Sequence, residues 1–176
     1  MKLLHLIATT RGEQYRTLSI SKEFLHTLKE KHPHIEVDEL DLSTIELPPV
    51  LDSTVKAKYL LMMGGELDDQ GQKSWKEVSA LAEHFISYDL FLITAPMWNF
   101  SIPYTLKHYI DVIMQAGILF NFTANGPEGF AKYEQMVCIT SRGSDYSPGS
   151  PMHQLDHQEP YLRTIFGFAG IEDIHF

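Results

Sequence analysis

A chain of 176 residues with 44% hydrophobic content has room for one domain with a substantial core, and no apolar run reaches the length that spans a bilayer. The net charge of −9 and the lack of a dense basic run argue against nucleic acid or an anionic membrane as the main partner. A lone cysteine, Cys138, excludes an internal disulfide and fits a reducing, cytoplasmic setting.

The chain alternates strands and helices. Leu3–Ala8 is a short apolar run that reads as a central strand rather than a signal peptide, because it leads straight into a polar turn. Thr9–Thr17 is loop-like. Leu18–Lys31 has apolar residues at helical spacing and stops before Pro33. Ile35–Leu42 alternates apolar and acidic residues, the pattern of a strand nearer a sheet edge. Ser43–Asp52, with Pro48 and Pro49, is a loop. Val55–Met63 reads as a helix ended by Gly64 and Gly65, and Lys73–Tyr88 as another with one apolar face. The acidic cluster Glu66, Asp68 and Asp69 between them reads as a solvated turn.

Leu90–Thr94 is the third strand and Pro103–Ala116 the helix after it, with Pro103 in its first turn and Gly117 past its end. Ile118–Glu134 is a long aromatic-rich excursion. Met136–Thr140 is the fourth strand, where Cys138 reads as an inert core thiol. Pro160–Ala169 is the last helix and Ile171–Phe176 a fifth strand. These are predicted to form one domain over residues 1–176. Its expected architecture is an open parallel five-stranded α/β sheet in the flavodoxin-like order 2-1-3-4-5, with helices on both faces.

In that order the carboxyl ends of strands one, three and four share a rim, where open α/β sheets bind ligands. Three unusual loops meet there. The first, Thr9–Thr17, offers hydroxyls, the cations Arg11 and Arg16, and N–H groups at a helix start, a set suited to phosphate. It carries neither G-x-G-x-x-G nor a P-loop. The second, Met97-Trp-Asn-Phe100, places a thioether, an indole, an amide and a phenyl ring side by side, which suits a flat heteroaromatic ligand with polar edges. The third is Ser141–Tyr146. His153 and His157, four apart around Asp156, have metal-ligand spacing but no third partner, and read as solvated loop rather than a metal site.

Four segments carry a specific resemblance: Ala95-Pro-Met-Trp-Asn-Phe100, Leu106-Lys-His-Tyr-Ile-Asp111, Ala116-Gly-Ile-Leu-Phe-Asn-Phe-Thr-Ala-Asn-Gly-Pro-Glu-Gly129 and Ile139-Thr-Ser-Arg-Gly143. Together they resemble the FMN-dependent NADH:quinone oxidoreductase and azoreductase family over essentially the whole chain. The resemblance implies a homodimer that binds FMN and takes NADH or NADPH as reductant. It implies ping-pong reduction of quinones and azo compounds, with no protein group as acid or nucleophile. It matches Thr9, Tyr15, Arg16 and Thr17 to phosphate-binding positions, and Met97, Trp98, Asn99 and Phe100 to the isoalloxazine loop. Ser141, Arg142, Gly143 and Ser144 match a second flavin loop. Phe120 and Phe122 match an aromatic loop near the partner's flavin, and Phe168 a substrate-side aromatic. Such proteins usually have Ser at Tyr15 and Gly at Ser144, and continue past Phe176 into another helix. The alternatives are a flavodoxin-type electron carrier and a family member that has lost tight FMN binding.

Overall fold

The computed structural model describes residues 1–9, 16–131 and 135–176. Strand β1, Lys2–Ile7, is buried on both sides after its first residue, as its unbroken apolar run requires of a central parallel strand. It pairs in parallel with β2, Glu36–Asp41, and with β3, Leu90–Pro96. Strand β2 is an edge and keeps its acidic residues toward water. Next to β3 lies β6, Gln135–Ser141, and then β7, Asp173–His175. The order β2-β1-β3-β6-β7 is the expected 2-1-3-4-5, with two extra strands counted in between.

Those two, β4 (Phe120–Thr123) and β5 (Gly126–Gly129), form an antiparallel hairpin within the aromatic excursion, where a loop was expected. Gly126, at φ 109, supplies a turn conformation that most side chains resist. The hairpin foot fits tightly: a Cβ on Gly129 would lie 2.1 Å from the Ala169 carbonyl carbon.

Helix α1, Arg16–Lys31, packs one sheet face and closes a small cluster of Leu3, Leu25, Ile35 and Leu92. Val137 and Ile139 of β6 remain only partly buried against it. The other face carries the main core, with Phe85, Phe91, Tyr109 and Phe166 fully buried. It is covered by α3 (Asp69–Ile86), α4 (Tyr104–Ile113) and α5 (Glu159–Phe168). Helix α2, Asp52–Met62, packs beside α3.

Helix α3 begins four residues before the expected Lys73. The reason is a cap: the Asp68 carboxylate accepts from the Gly71 N–H at 2.7 Å. That acidic stretch is a helix start rather than a plain turn. Cys138 is buried, and burial pushes its thiol up to about 12, as expected of an inert core thiol.

Candidate functional site

Three chain segments meet at the carboxyl edge of the sheet. After β1, Thr9 is buried, and its hydroxyl has no partner among the described residues. In the first turn of α1, which carries no acidic residue, the buried Thr17 donates from Oγ1 to Ser141 Oγ at 2.8 Å. Ser141 in turn holds the loop after β3, because its carbonyl accepts from the Met97 N–H at 2.8 Å. Hydroxyls beside the N–H groups of a helix start form an anion-binding set. Tyr15 lies outside the described residues. Arg16 opens α1 and is exposed.

The loop after β3 folds as a tight turn. Trp98 and Ser101 exchange backbone hydrogen bonds of 2.9 Å each. Asn99 and Phe100, between them, sit at φ 47 and φ 69. Asparagine tolerates this region, whereas for phenylalanine it is a strained outlier of the kind that clusters at functional sites. The turn leaves the Phe100 ring 43% exposed. Beside it opens a groove of about 810 Å³ whose lining includes Val50, Trp98, Asn99, Tyr104, His108 and Tyr161.

The third loop uses its residues differently from one another. Arg142 turns to α5 and pairs with Asp156 at 2.7 Å and Glu159 at 3.4 Å. Gly143 and Ser144 do not have positive φ, so serine sits there without backbone strain. Asp156, taken from the sequence as part of a solvated loop, is a structural hub. One carboxylate oxygen accepts from the N–H groups of Gln158 and Glu159 at 2.9 and 3.2 Å, and the other takes Arg142. His153 and His157 do not share a helical face: His153 lies in a 3₁₀ turn with Nδ1 3.0 Å from the Tyr146 carbonyl, and His157 lies beyond that turn.

Gln158 was missed in the sequence. It is fully buried, its amide donates to the Ala95 carbonyl at 3.2 Å, and its Oε1 has no partner among the described residues. The neighbouring His157 N–H donates to the Phe100 carbonyl at 2.9 Å. The start of α5 therefore braces the strained turn from below. A buried amide just before a helix-opening proline was the available signal.

The remaining candidates lie elsewhere. Phe120 is buried and packs on Phe168 with ring centroids 4.6 Å apart, while Phe122 stays exposed and contacts both rings at 5.5 and 6.5 Å. Phe168 ends α5, ten residues or about 15 Å along the helix from Gln158. Ala131 and Ala169, which join the hairpin and α5 to β6 and β7, are hydrogen-bonded at the amino edge of the sheet. The aromatic cluster is thus a strand length away from this chain's own rim.

Comparison with known proteins agrees with this geometry. Residues 1–176 match the flavodoxin-like fold family. The chain is 40% identical to FMN-dependent NADH:quinone oxidoreductase 2 of Pseudomonas syringae pv. tomato, over 99% of this chain and 83% of that one. It is 36% identical to FMN-dependent NADH:quinone oxidoreductase 3 of Pseudomonas fluorescens, over 99% and 82%. An azoreductase from Bacillus anthracis str. Sterne superposes with a TM-score of 0.88 at 30% identity, covering 99% of this chain and 84% of that one. A B. anthracis FMN-dependent NADH-azoreductase, solved in complex with FMN, gives 0.88 at 27%, covering 99% and 85%. The fold and rim define a flavodoxin-like α/β protein, and the chain belongs to the FMN-dependent NADH:quinone oxidoreductase family within that class.

Proposed function

We propose that this chain is an FMN-dependent oxidoreductase that reduces quinones and azo compounds with NADH, as a homodimer in the cytoplasm. The observation that carries the reading is a strained Trp98–Ser101 turn on the same sheet edge as a buried Thr9 hydroxyl that has no partner among the described residues. The residues fit FMN at both ends. Thr9, Thr17 and the α1 N–H groups would hold the phosphate. Trp98, Asn99 and Phe100 would flank the ring, with Asn99 pairing its polar edge.

When bound, FMN supplies the redox chemistry, accepting a hydride from NADH and passing two electrons to the acceptor in a second half-reaction. The protein's work is placement. Met97 and Ser141 lock two flavin loops to each other. N–H groups around Gly143 would stabilise negative charge on the reduced ring. The groove beside Trp98, walled by Tyr104 and Tyr161, is open enough for flat substrates to enter one after another. Arg142, held by Asp156 and Glu159, acts by fixing its loop rather than by touching ligand.

The homodimer is supported by two surfaces. Helix α2 and the residues flanking it expose Leu51, Val55, Tyr59, Leu60 and Met63, the last 84% exposed, large apolar side chains of the kind that mark an interaction surface. Phe122 and Phe168 are too far from their own rim to line it, so they reach a flavin only across a two-fold axis.

The test is a visible spectrum of the purified protein with FMN. Addition of NADH without oxygen should bleach the flavin, and a quinone should restore the colour. A chain that binds FMN but is not bleached by NADH would be an electron carrier instead.

A further inference from the structure

His5 sits in the middle of the sheet, fully buried, and no step above uses it. Its Nε2 is 2.7 Å from Thr94 Oγ1 on β3. Thr94 Oγ1 is 2.5 Å from Ser21 Oγ on α1, and Ser21 Oγ donates to the Thr17 carbonyl at 3.0 Å. The Thr17 hydroxyl then donates to Ser141. On the other side, His5 Nδ1 lies 3.4 Å from the exposed carboxylate of Glu39 on β2.

Counting protons orients this chain. A hydroxyl has one proton to donate. Ser21 commits its proton to the Thr17 carbonyl, so it accepts from Thr94. Thr94 then has none left for His5, so the imidazole donates from Nε2. In the neutral ring the 3.4 Å approach of Nδ1 to the Glu39 carboxylate sets two acceptors against each other and is not a hydrogen bond. The direction runs from His5 through Thr94 and Ser21 to the first turn of α1.

We propose that His5 is a positioning residue for the FMN phosphate grip, holding the first turn of α1 in register with the carboxyl edge of the sheet through Thr94 and Ser21. The inference rests on the reading that the phosphate binds at that turn. Serine bonding back to the carbonyl four residues earlier tends to bend a helix. Here that back-bond is fixed by a buried donor, and it ties the residue whose side chain meets Ser141. An apolar residue shaped like histidine would fill the space but leave Thr94 without its donor.

The experiment titrates FMN into the full-length apoprotein, following flavin fluorescence, and records the apoprotein melt alongside. His5→Leu and Thr94→Val should each raise the FMN Kd about tenfold. His5→Gln, whose side-chain amide can donate from the place of Nε2, should stay within about threefold of the parent. Nitrogen NMR of the apoprotein at neutral pH should show His5 protonated on Nε2. Should His5→Leu not fold, Thr94→Val, which keeps the side-chain shape, decides the matter. Unchanged affinity in Thr94→Val, a Gln variant as weak as Leu, or an Nδ1-protonated ring would each overturn the proposal. A parent protein that binds no FMN would overturn the flavin reading instead, while the NMR result still reports on the orientation of the chain.

Discussion

Trp98 and Ser101 are joined by two reciprocal backbone hydrogen bonds of 2.9 Å, and the two residues they enclose both have positive φ. That sign pattern belongs to a type I′ turn, which favours Asn followed by Gly. The chain has Asn99 but puts Phe100 where glycine would rest, at a cost of about 1–2 kcal/mol. Phe100→Gly should therefore leave the apoprotein melt unchanged or raise it by roughly 2–4 °C per kcal/mol regained. Quinone kcat/KM should fall by about tenfold as the ring is lost. A lowered melt with unchanged turnover would make Phe100 a packing residue.

Asn99 separates from its neighbours by chemistry. Helix α4 is not capped by it, since Pro103 occupies that position without a side-chain bond. Asn99→Gly keeps the backbone preference of the turn while removing the amide. FMN affinity should drop about tenfold, the effect of leaving a polar edge unpaired, with little change in the melt. Asn99→Leu should lose the same affinity and also lower the melt, because leucine resists φ 47. Equal FMN affinity in Asn99→Gly and the parent would remove Asn99 from the ring site.

The Arg142–Asp156 pair is partly buried, with side chains 20% and 7% exposed. Arg142→Leu should destabilise the protein by about 1.5–3 kcal/mol, since a charged hydrogen-bond partner is removed from a carboxylate that stays buried. Chemical denaturation measures it. Asp156→Asn should cost less, because the amide oxygen can still cap α5.

Burial lowers the His5 pKa below its ordinary 6.5, with Glu39 partly opposing. The folded protein resists a proton that the unfolded chain accepts. Stability from neutral His5 is complete above 6.5 and is lost as pH falls through the lowered folded value. Calorimetric melts from about pH 7 to about pH 5 should fall more steeply for the parent than for His5→Gln. Parallel pH profiles would show that His5 does not titrate this way.

Tyr59→Glu with Met63→Glu places charge in the exposed patch of α2. Sedimentation should show the parent as a dimer and the variant shifted to monomer, with quinone turnover lost and FMN binding weakened. A fully active monomer would assign the patch to another role.

The alternation of strands and helices, the order of the five parallel strands and the convergence of three loops were legible in the residues. Apolar periodicity and parallel crossovers leave few ways to fold such a chain. Residue chemistry in a strand-to-helix loop likewise singled out Met97 to Phe100 as a candidate ligand loop. Which loop residues face a ligand was not legible. Ser141-Arg142-Gly143-Ser144 reads as one motif, yet only the packed α5 turns Arg142 away to Asp156. Phe120, Phe122 and Phe168 sit at the opposite edge of the sheet from this chain's own rim, a placement that only the hairpin and the length of α5 decide. The buried roles of His5 and Asp156 have no local signature, and Gln158 shows only its place just ahead of Pro160. Hydrogen-bond partners 63 to 89 residues away in the sequence, such as Ala95 for Gln158 and Thr94 for His5, exist only once the sheet and α5 are packed. Local pattern sets which elements form, and a buried polar side chain takes its role from whatever distant group the packing brings within bonding reach.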